Sequence, residues 1–242
     1  MMPLDALIFD VDGTLADTEE AHRRAFNLAF AQADLPWRWS VEEYRVLLDV
    51  AGGKERIRAY WSQLPDAPGP EAMWDRILTL HAAKTALYTE AVRSGQVPLR
   101  PGVEATLRSA RDAGITLAIA TTTSRVNVDA LFEGTLGAGA LGWFSAICTA
   151  ETAAKKKPAP DVYLAALAQL GLPPARCLAV EDSRNGVLAA RAAGLEVLVT
   201  ENAYTRGQDF SGALAVLDDL TGLHALPDPP ASMMGPMLDA TR

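Results

Sequence analysis

An apolar run, Leu7-Ile8-Phe9, opens the chain in the manner of a buried β-strand, and nothing like it returns until Ile115-Thr116-Leu117-Ala118-Ile119-Ala120. A lone strand cannot bury its faces, so the first run must pair with later ones and the sequence between them must be an insertion. That insertion reads as helix. Ala21, Ala25, Leu28 and Ala29 recur at helical spacing up to about Ala33, and Val41, Tyr44, Leu47, Leu48 and Ala51 follow. Ser40 is placed to cap this second helix, with Glu43 completing a capping box. After Gly52-Gly53, a third helix is marked by Ile57, Tyr60, Trp61 and Leu64, and a proline-rich turn over residues 65–70 stops it. Met73, Ile77, Leu80 and Leu87 mark a longer fourth. Four of the five tryptophans, Trp37, Trp39, Trp61 and Trp74, fall in this region, which predicts a helical unit with its own core.

From Val97 onward, helices alternate with short apolar runs. One helical face, Val103, Leu107 and Ala110, ends at Gly114 and leads into the strand at Ile115–Ala120. Ser145-Ala146-Ile147-Cys148 is a weaker strand, a helix runs from about Pro160 to Gly171, and Cys177-Leu178-Ala179-Val180 is a further strand. A short helix ends near Gly194, and strands are expected at Leu195–Thr200 and Leu214–Leu217. The predicted class is α/β: a Rossmann-like parallel-sheet core, residues 1–15 and 96–226, with an inserted helical cap domain, residues 16–95. Residues 227–242 carry no period and read as an irregular tail.

The chain has 242 residues and a formal charge of -8. That balance argues against nucleic acid and anionic membrane as partners, because both need clustered positive charge. No apolar run approaches the roughly 18 residues of a membrane span, and the N-terminus lacks the pattern of a secretory leader, so the cytoplasm is expected. Cys148 and Cys177 have no close Cys or His partner and read as buried free thiols. A monomer is favoured over an oligomer.

In parallel α/β sheets, ligands gather at the C-terminal ends of the strands. Those ends carry Asp10 and Asp12, then Thr121-Thr122-Thr123-Ser124, then Glu181-Asp182-Ser183, with Lys155-Lys156-Lys157-Pro158 ahead of the helix that precedes the last of them. Residues two apart on an extended segment share a side, so Asp10 and Asp12 face one site, and Gly13 permits a sharp exit. A nucleophile, hydroxyl and amide donors, a lysine and carboxylates for a hard cation are what phosphoryl transfer requires. Taken singly, the threonines can cap a helix, the lysines can line a solvated face and the acidic pair can sit at a helix N-terminus. Their joint occurrence in this order is not covered by those readings. Gly53-Lys54 is not a P-loop, because Leu48 stands at its first glycine and Glu55 at its Ser/Thr.

Asp10-Val11-Asp12-Gly13-Thr14 resembles the first motif of the haloacid dehalogenase-like phosphatases. Thr121 is similar to the second-motif hydroxyl, Lys157 to the third-motif lysine, and Glu181-Asp182-Ser183 to the acidic fourth motif. The likeness spans residues 4–226 and includes the cap that defines the family's sugar-phosphate branch. It implies that Asp10 is the nucleophile, that Asp12 is the proton donor and acceptor, and that Thr121, the Thr122 amide and Lys157 hold the phosphate. It also implies Mg2+ on the Asp10 carboxylate, the Asp12 carbonyl and Asp182, with Glu181 adjacent. Asp17-Thr18-Glu19, His22 and Gly52-Gly53-Lys54-Glu55-Arg56 look most like the CbbY-like subgroup, whose implied substrate is xylulose 1,5-bisphosphate, an inhibitor of Rubisco. Asp17 stands where glutamate is expected in many relatives. The expected substrate contacts are Asp17, His22, Gly53, Lys54, Arg56, Thr123, Ser124 and Arg125, the Arg56 fork suiting phosphate and the last three a distal phosphate. The rivals are a hexose phosphomutase of the β-phosphoglucomutase type, a phosphoglycolate-like phosphatase and a non-catalytic phospho-ligand sensor.

Overall fold

The structure, a computed structural model, describes residues 4–50, 52–65 and 70–223. Its helices are α1 (Thr18–Gln32), α2 (Val41–Leu47), α3 (Gly53–Trp61), α4 (Pro70–Arg93), α5 (Val103–Asp112), α6 (Arg125–Gly134), α7 (Asp161–Leu170) and α8 (Arg184–Ala192). Its strands are β1 (Ala6–Phe9), β2 (Thr116–Ala120), β3 (Phe144–Cys148), β4 (Cys177–Glu181), β5 (Glu196–Thr200) and β6 (Ala215–Leu217). They form one parallel sheet in the order β3-β2-β1-β4-β5-β6. The order reverses direction beside β1, and such a reversal opens a crevice at the strands' C-terminal ends.

Alternation along β1 assigns its residues to two cores. Leu7 and Phe9 join Leu117, Ile119 and Val180 under α5 and α6, while Ala6 and Ile8 join Ala118, Ala120 and Ala179 under α7 and α8. Both faces are covered, which is why these strands are apolar throughout. Cys148 and Cys177 are unbridged, and burial pushes both thiols up to about 11.

The insertion has the core that its tryptophans predict: Phe26, Phe30, Trp39, Tyr44, Ile57, Trp61 and Ile77 pack together, with Trp37 against them. The Ser40 capping box is present, Glu43 N donating to Ser40 Oγ at 3.1 Å and Ser40 N to Glu43 Oε2 at 2.8 Å. Trp74 departs from expectation. It lies one position off the buried stripe of Met73, Ile77 and Leu80 and is 38% exposed. Helix α6 was not anticipated, because Val126 faces solvent while Asn127 faces inward, which blurs the helical period. Gly52, at φ +104°, starts α3, and the space a Cβ would fill at Gly53 is taken by His81 Nε2, 2.7 Å away.

The two connections between sheet and insertion run side by side. Ala16 bridges Leu99, and Arg100 N donates to Leu15 O at 2.9 Å. Helix α4 belongs to both packed regions: Ile77 and Leu80 sit in the aromatic cluster, while Tyr88 and Val92 pack into the core beneath α5 and α6. The tail at 227–242, Ala51, His224 and residues 66–69 of the proline-rich turn lie outside the described residues. No helix among the described residues is long and apolar enough to cross a membrane.

Candidate active site

β1 and β4 are neighbours, with Phe9 beside Val180, so their ends place Asp10 next to Glu181 and Asp182. Lys157 joins them. Its Nζ donates to Asp10 Oδ1 and to Glu181 Oε1, both at 2.6 Å, and to Ala120 O at 2.9 Å. Tyr163 of α7 donates to the same Glu181 oxygen at 2.6 Å, and the Asp182 amide donates to Glu181 Oε2 at 3.1 Å. Gly186 makes room for this carboxyl, since a Cβ there would lie 1.9 Å from it. Glu181 is thus held on both oxygens and in turn holds the lysine.

Asp182 is oriented from the other side. Asn202 Nδ2 donates to its Oδ2 at 2.7 Å. Gly13, at φ +84°, brings the backbone against the same oxygen, where a Cβ would sit 2.2 Å away. Arg100 and Asn202 donate to the Gly13 carbonyl at 2.7 and 3.2 Å. The exit turn after β1 is therefore clamped from the second connection and from beyond β5.

The carboxylates Asp10, Glu181 and Asp182 each offer an oxygen, all within 4.8 Å of one another, with Lys157 bonded to the first two. Burial pushes Asp10 up to about 8, with Lys157 pulling against it and Glu181 adding to the rise. Burial, then Asp10 and Glu181, holds Asp182 well above the ordinary carboxylate range. An all-oxygen donor set of crowded carboxyls that burial and mutual repulsion keep from ionising without a cation fits a small hard dication.

Asp12 has separate surroundings. Its Oδ1 lies 3.4 Å from His22 Nε2, and the other ring nitrogen, Nδ1, lies 2.6 Å from Lys84 Nζ. An ammonium has no acceptor, so His22 takes the Lys84 hydrogen bond on Nδ1 and carries its proton on Nε2, facing Asp12. His22 stacks on Tyr88 at 3.8 Å, and Lys84 Nζ sits 4.8 Å from the centre of the Phe26 ring. Burial, then Lys84, lowers the His22 pKa, and burial lowers Lys84 to about 8. Burial alone would raise Asp12; His22, Thr18 and Lys84 outweigh it and hold the carboxyl at about 2. Two carboxylates two residues apart are thereby split, one protonatable and one ionised.

Thr121 is buried just past the end of β2, where its hydroxyl accepts from Thr123 N at 3.2 Å. Thr123 is turned to Asn127, Ser124 precedes α6 without a side-chain cap bond, and Arg125 pairs with Asp129 at 2.7 Å. In the insertion, the expected Arg56 fork is not presented: it donates to Leu47 O at 3.0 Å and Tyr44 Oη at 2.9 Å, satisfying the cap's own polar groups. Gly53 serves helix packing against His81. His22 reaches Asp12 as well as lining the cap. Asp17 lies 3.3 Å from Arg100 Nε, and Lys54 sits half-buried at the start of α3, beside Glu55, whose carboxylate is 3.8 Å from Lys156 Nζ.

Lys84, Asn202, Tyr163 and Arg100 were missed by sequence reasoning. Lys84 had a visible signal, as it continues the Met73, Ile77, Leu80 stripe onto a buried face, where a charge needs a partner. Asn202 follows the end of β5, a strand end that invites the same inspection as the others.

A model of the haloacid dehalogenase-like hydrolases matches residues 4–194. The chain is 52% identical over 231 residues to Protein CbbY of Rhodobacter capsulatus, covering 95% of this chain and 100% of that one. It is 39% identical to a CBBY-like protein of Arabidopsis thaliana, over 88% of this chain and 68% of the relative. The crystal structure of CbbY from Rhodobacter sphaeroides in complex with phosphate superposes with a TM-score of 0.84 and 45% identity, covering 92% of this chain and 97% of that one. A mutant of that protein in complex with xylulose-(1,5)bisphosphate gives the same TM-score of 0.84 at 44% identity and the same coverage.

Proposed function

The chain belongs to the haloacid dehalogenase-like hydrolases and is a phosphatase; from that premise we propose that it hydrolyses a phosphorylated sugar, a pentulose bisphosphate such as xylulose 1,5-bisphosphate, with Mg2+ and through an aspartyl-phosphate. The observation that carries the chemistry is Lys157, which ties Asp10 to the acidic end of β4 inside a buried crevice. The bisphosphate rests on the likeness to the CbbY proteins.

In this mechanism an Asp10 carboxylate oxygen attacks phosphorus, and the bond from phosphorus to the sugar oxygen breaks. Asp12 gives its proton to the departing oxygen, then takes one from the water that attacks the acyl phosphate, releasing inorganic phosphate and restoring Asp10. The ionised state in which His22 and Lys84 hold Asp12 is the form that accepts this second proton. A phosphate dianion bound beside Asp12 raises its proton affinity and loads it for the first step. Thr121, the Thr122 amide and Lys157 hold the transferring group. Mg2+ would be held by Asp10, Asp182 and the Asp12 carbonyl, beside Glu181, and supplies charge neutralisation for the phosphoryl group.

A phosphate-release screen over sugar mono- and bisphosphates tests the reading. Xylulose 1,5-bisphosphate is expected to be turned over with Mg2+ and without a bisphosphate primer; turnover of hexose monophosphates alone would place the chain with the phosphomutase-like readings. The metal makes its own prediction. Asp10 raised to about 8 means that the folded metal-free protein binds a proton the unfolded chain has released, so that contribution to stability is lost as pH climbs from about 4 through about 8. Mg2+ must displace the proton. Because Asp182 is raised as well, the apparent Mg2+ affinity is expected to rise by about tenfold or more per pH unit below pH 8, and the rise in melting temperature at fixed Mg2+ to grow accordingly. Scanning fluorimetry at pH 5 to 8 measures it, and a shift independent of pH would contradict it.

A further inference from the structure

The turn after β5, residues 201–206, touches the Asp182 carboxylate on one side and the helical insertion on the other. Asn202 connects the two. Its Nδ2 donates to Asp182 Oδ2 at 2.7 Å and to Gly13 O at 3.2 Å, while its Oδ1 accepts from Tyr204 N at 2.8 Å and Thr205 N at 3.2 Å. Carboxylate and carbonyl accept, backbone N–H groups donate, so only this amide orientation satisfies all four. Two residues on, Tyr204 is buried in the aromatic cluster of the insertion, its ring edge-on to Tyr44 at 5.8 Å, and its hydroxyl donates to Glu20 of α1. Arg45 of α2 donates to the neighbouring Ala203 carbonyl. One short turn therefore carries a bond to Asp182 and the seat of the cap, with a single side-chain amide between them.

We propose that Asn202 is a positioning residue for Asp182 and that, through Tyr204, it couples seating of the cap to binding of the cation. Lifting the cap strips the turn of the Tyr204 hydroxyl bond, its aromatic packing and the Arg45 bond together. The amide that orients Asp182 then loses the backbone that orients it. By reciprocity, a cation that fixes Asp182 and Asn202 favours the seated cap by the same factor. The inference rests on the Mg2+ reading above and adds residues that do not touch the ion.

The test is Mg2+ titration by calorimetry on the full chain, for the unsubstituted protein, Tyr204→Phe, Asn202→Ala and the double variant. Asn202→Ala is expected to weaken Mg2+ about tenfold or more, as loss of an outer partner to a metal ligand does. Tyr204→Phe keeps the ring and loses only the hydroxyl bond, yet weakens Mg2+ about threefold, and adds nothing in the Asn202→Ala background. Should Asn202→Ala fail to fold, Tyr204→Phe and Tyr204→Ala decide the matter by weakening Mg2+ in that order. Unchanged Mg2+ affinity in both Tyr204 variants, or effects that simply multiply in the double variant, would overturn the coupling while leaving the phosphatase reading intact. No Mg2+ binding by the unsubstituted chain would overturn both.

Discussion

Asp10→Asn is expected to abolish turnover, lowering kcat by about 10^4-fold or more, while the protein stays folded and still binds its phosphorylated substrate. Asparagine has the shape of the carboxyl and keeps an oxygen for the Lys157 bond, now 2.6 Å long, but it cannot form the acyl phosphate. The stability side follows from burial. Because Asp10 is pushed up to about 8, the metal-free carboxyl already holds a proton at neutral pH, and a neutral amide replaces it at little cost. Single-turnover assays and a substrate-binding measurement on the same preparation separate the two effects. Full biological activity in this variant would favour the sensor reading over the enzyme.

Lys157→Met should cost both activity and stability. The ammonium is the shared donor to two buried carboxylates, and its own pKa is raised because Asp10 and Glu181 outweigh the burial that opposes its charge. Methionine fills the space and leaves Glu181 facing Asp10 with only Tyr163 as donor on that oxygen. Removing one partner of a buried ion pair typically costs about 3–5 kcal/mol, here roughly 6–20 °C in melting temperature for a chain of this size. The sign of the pH dependence is fixed. Carboxyls whose proton affinity rises in the folded state stabilise it at low pH, so the deficit is smaller at pH 5 than at pH 8. Thermal melts at the two pH values measure it; an equal deficit at both would show that the loss is one of packing. Activity should fall about 10^3-fold or more even where the variant is fully folded, since the phosphoryl group loses its fixed positive charge.

Asp10 and Asp12, the threonine run from Thr121, the lysine run to Lys157 and Glu181-Asp182 are legible because each stands beside a local signal, an apolar run that stops or a helix that begins; the choice of Thr121, Lys157 and Asp182 within those runs rests on the resemblance. The Ser40 capping box was legible for the same reason, since four neighbouring residues contain all of it. What was illegible is long-range. Lys84 meets His22 across 62 positions and Asn202 meets Asp182 across 20, and neither has a neighbour in sequence that announces the partner. Arg56 failed in the opposite sense. Its glycine-rich approach suggested an outward fork, but the carbonyls of Leu47 and Val50 and the Tyr44 hydroxyl stand within reach, and a buried guanidinium meets the nearest acceptors first.

Helix α4 is divided between two hydrophobic clusters, with Tyr88 and Val92 on the sheet side and α6 so close that a Cβ on Gly134 would meet the Val92 carbonyl at 2.1 Å. For anyone exchanging caps between such enzymes to change what they act on, the transplantable piece is therefore not the stretch between the two connecting segments. A donor helix must bring a surface that fits Gly134 as well as one that fits the aromatic cluster, or the splice belongs inside α4, between Leu80 and Tyr88. Chimeras joined at the connecting loops inherit a mismatch in the catalytic domain rather than in the part that was swapped.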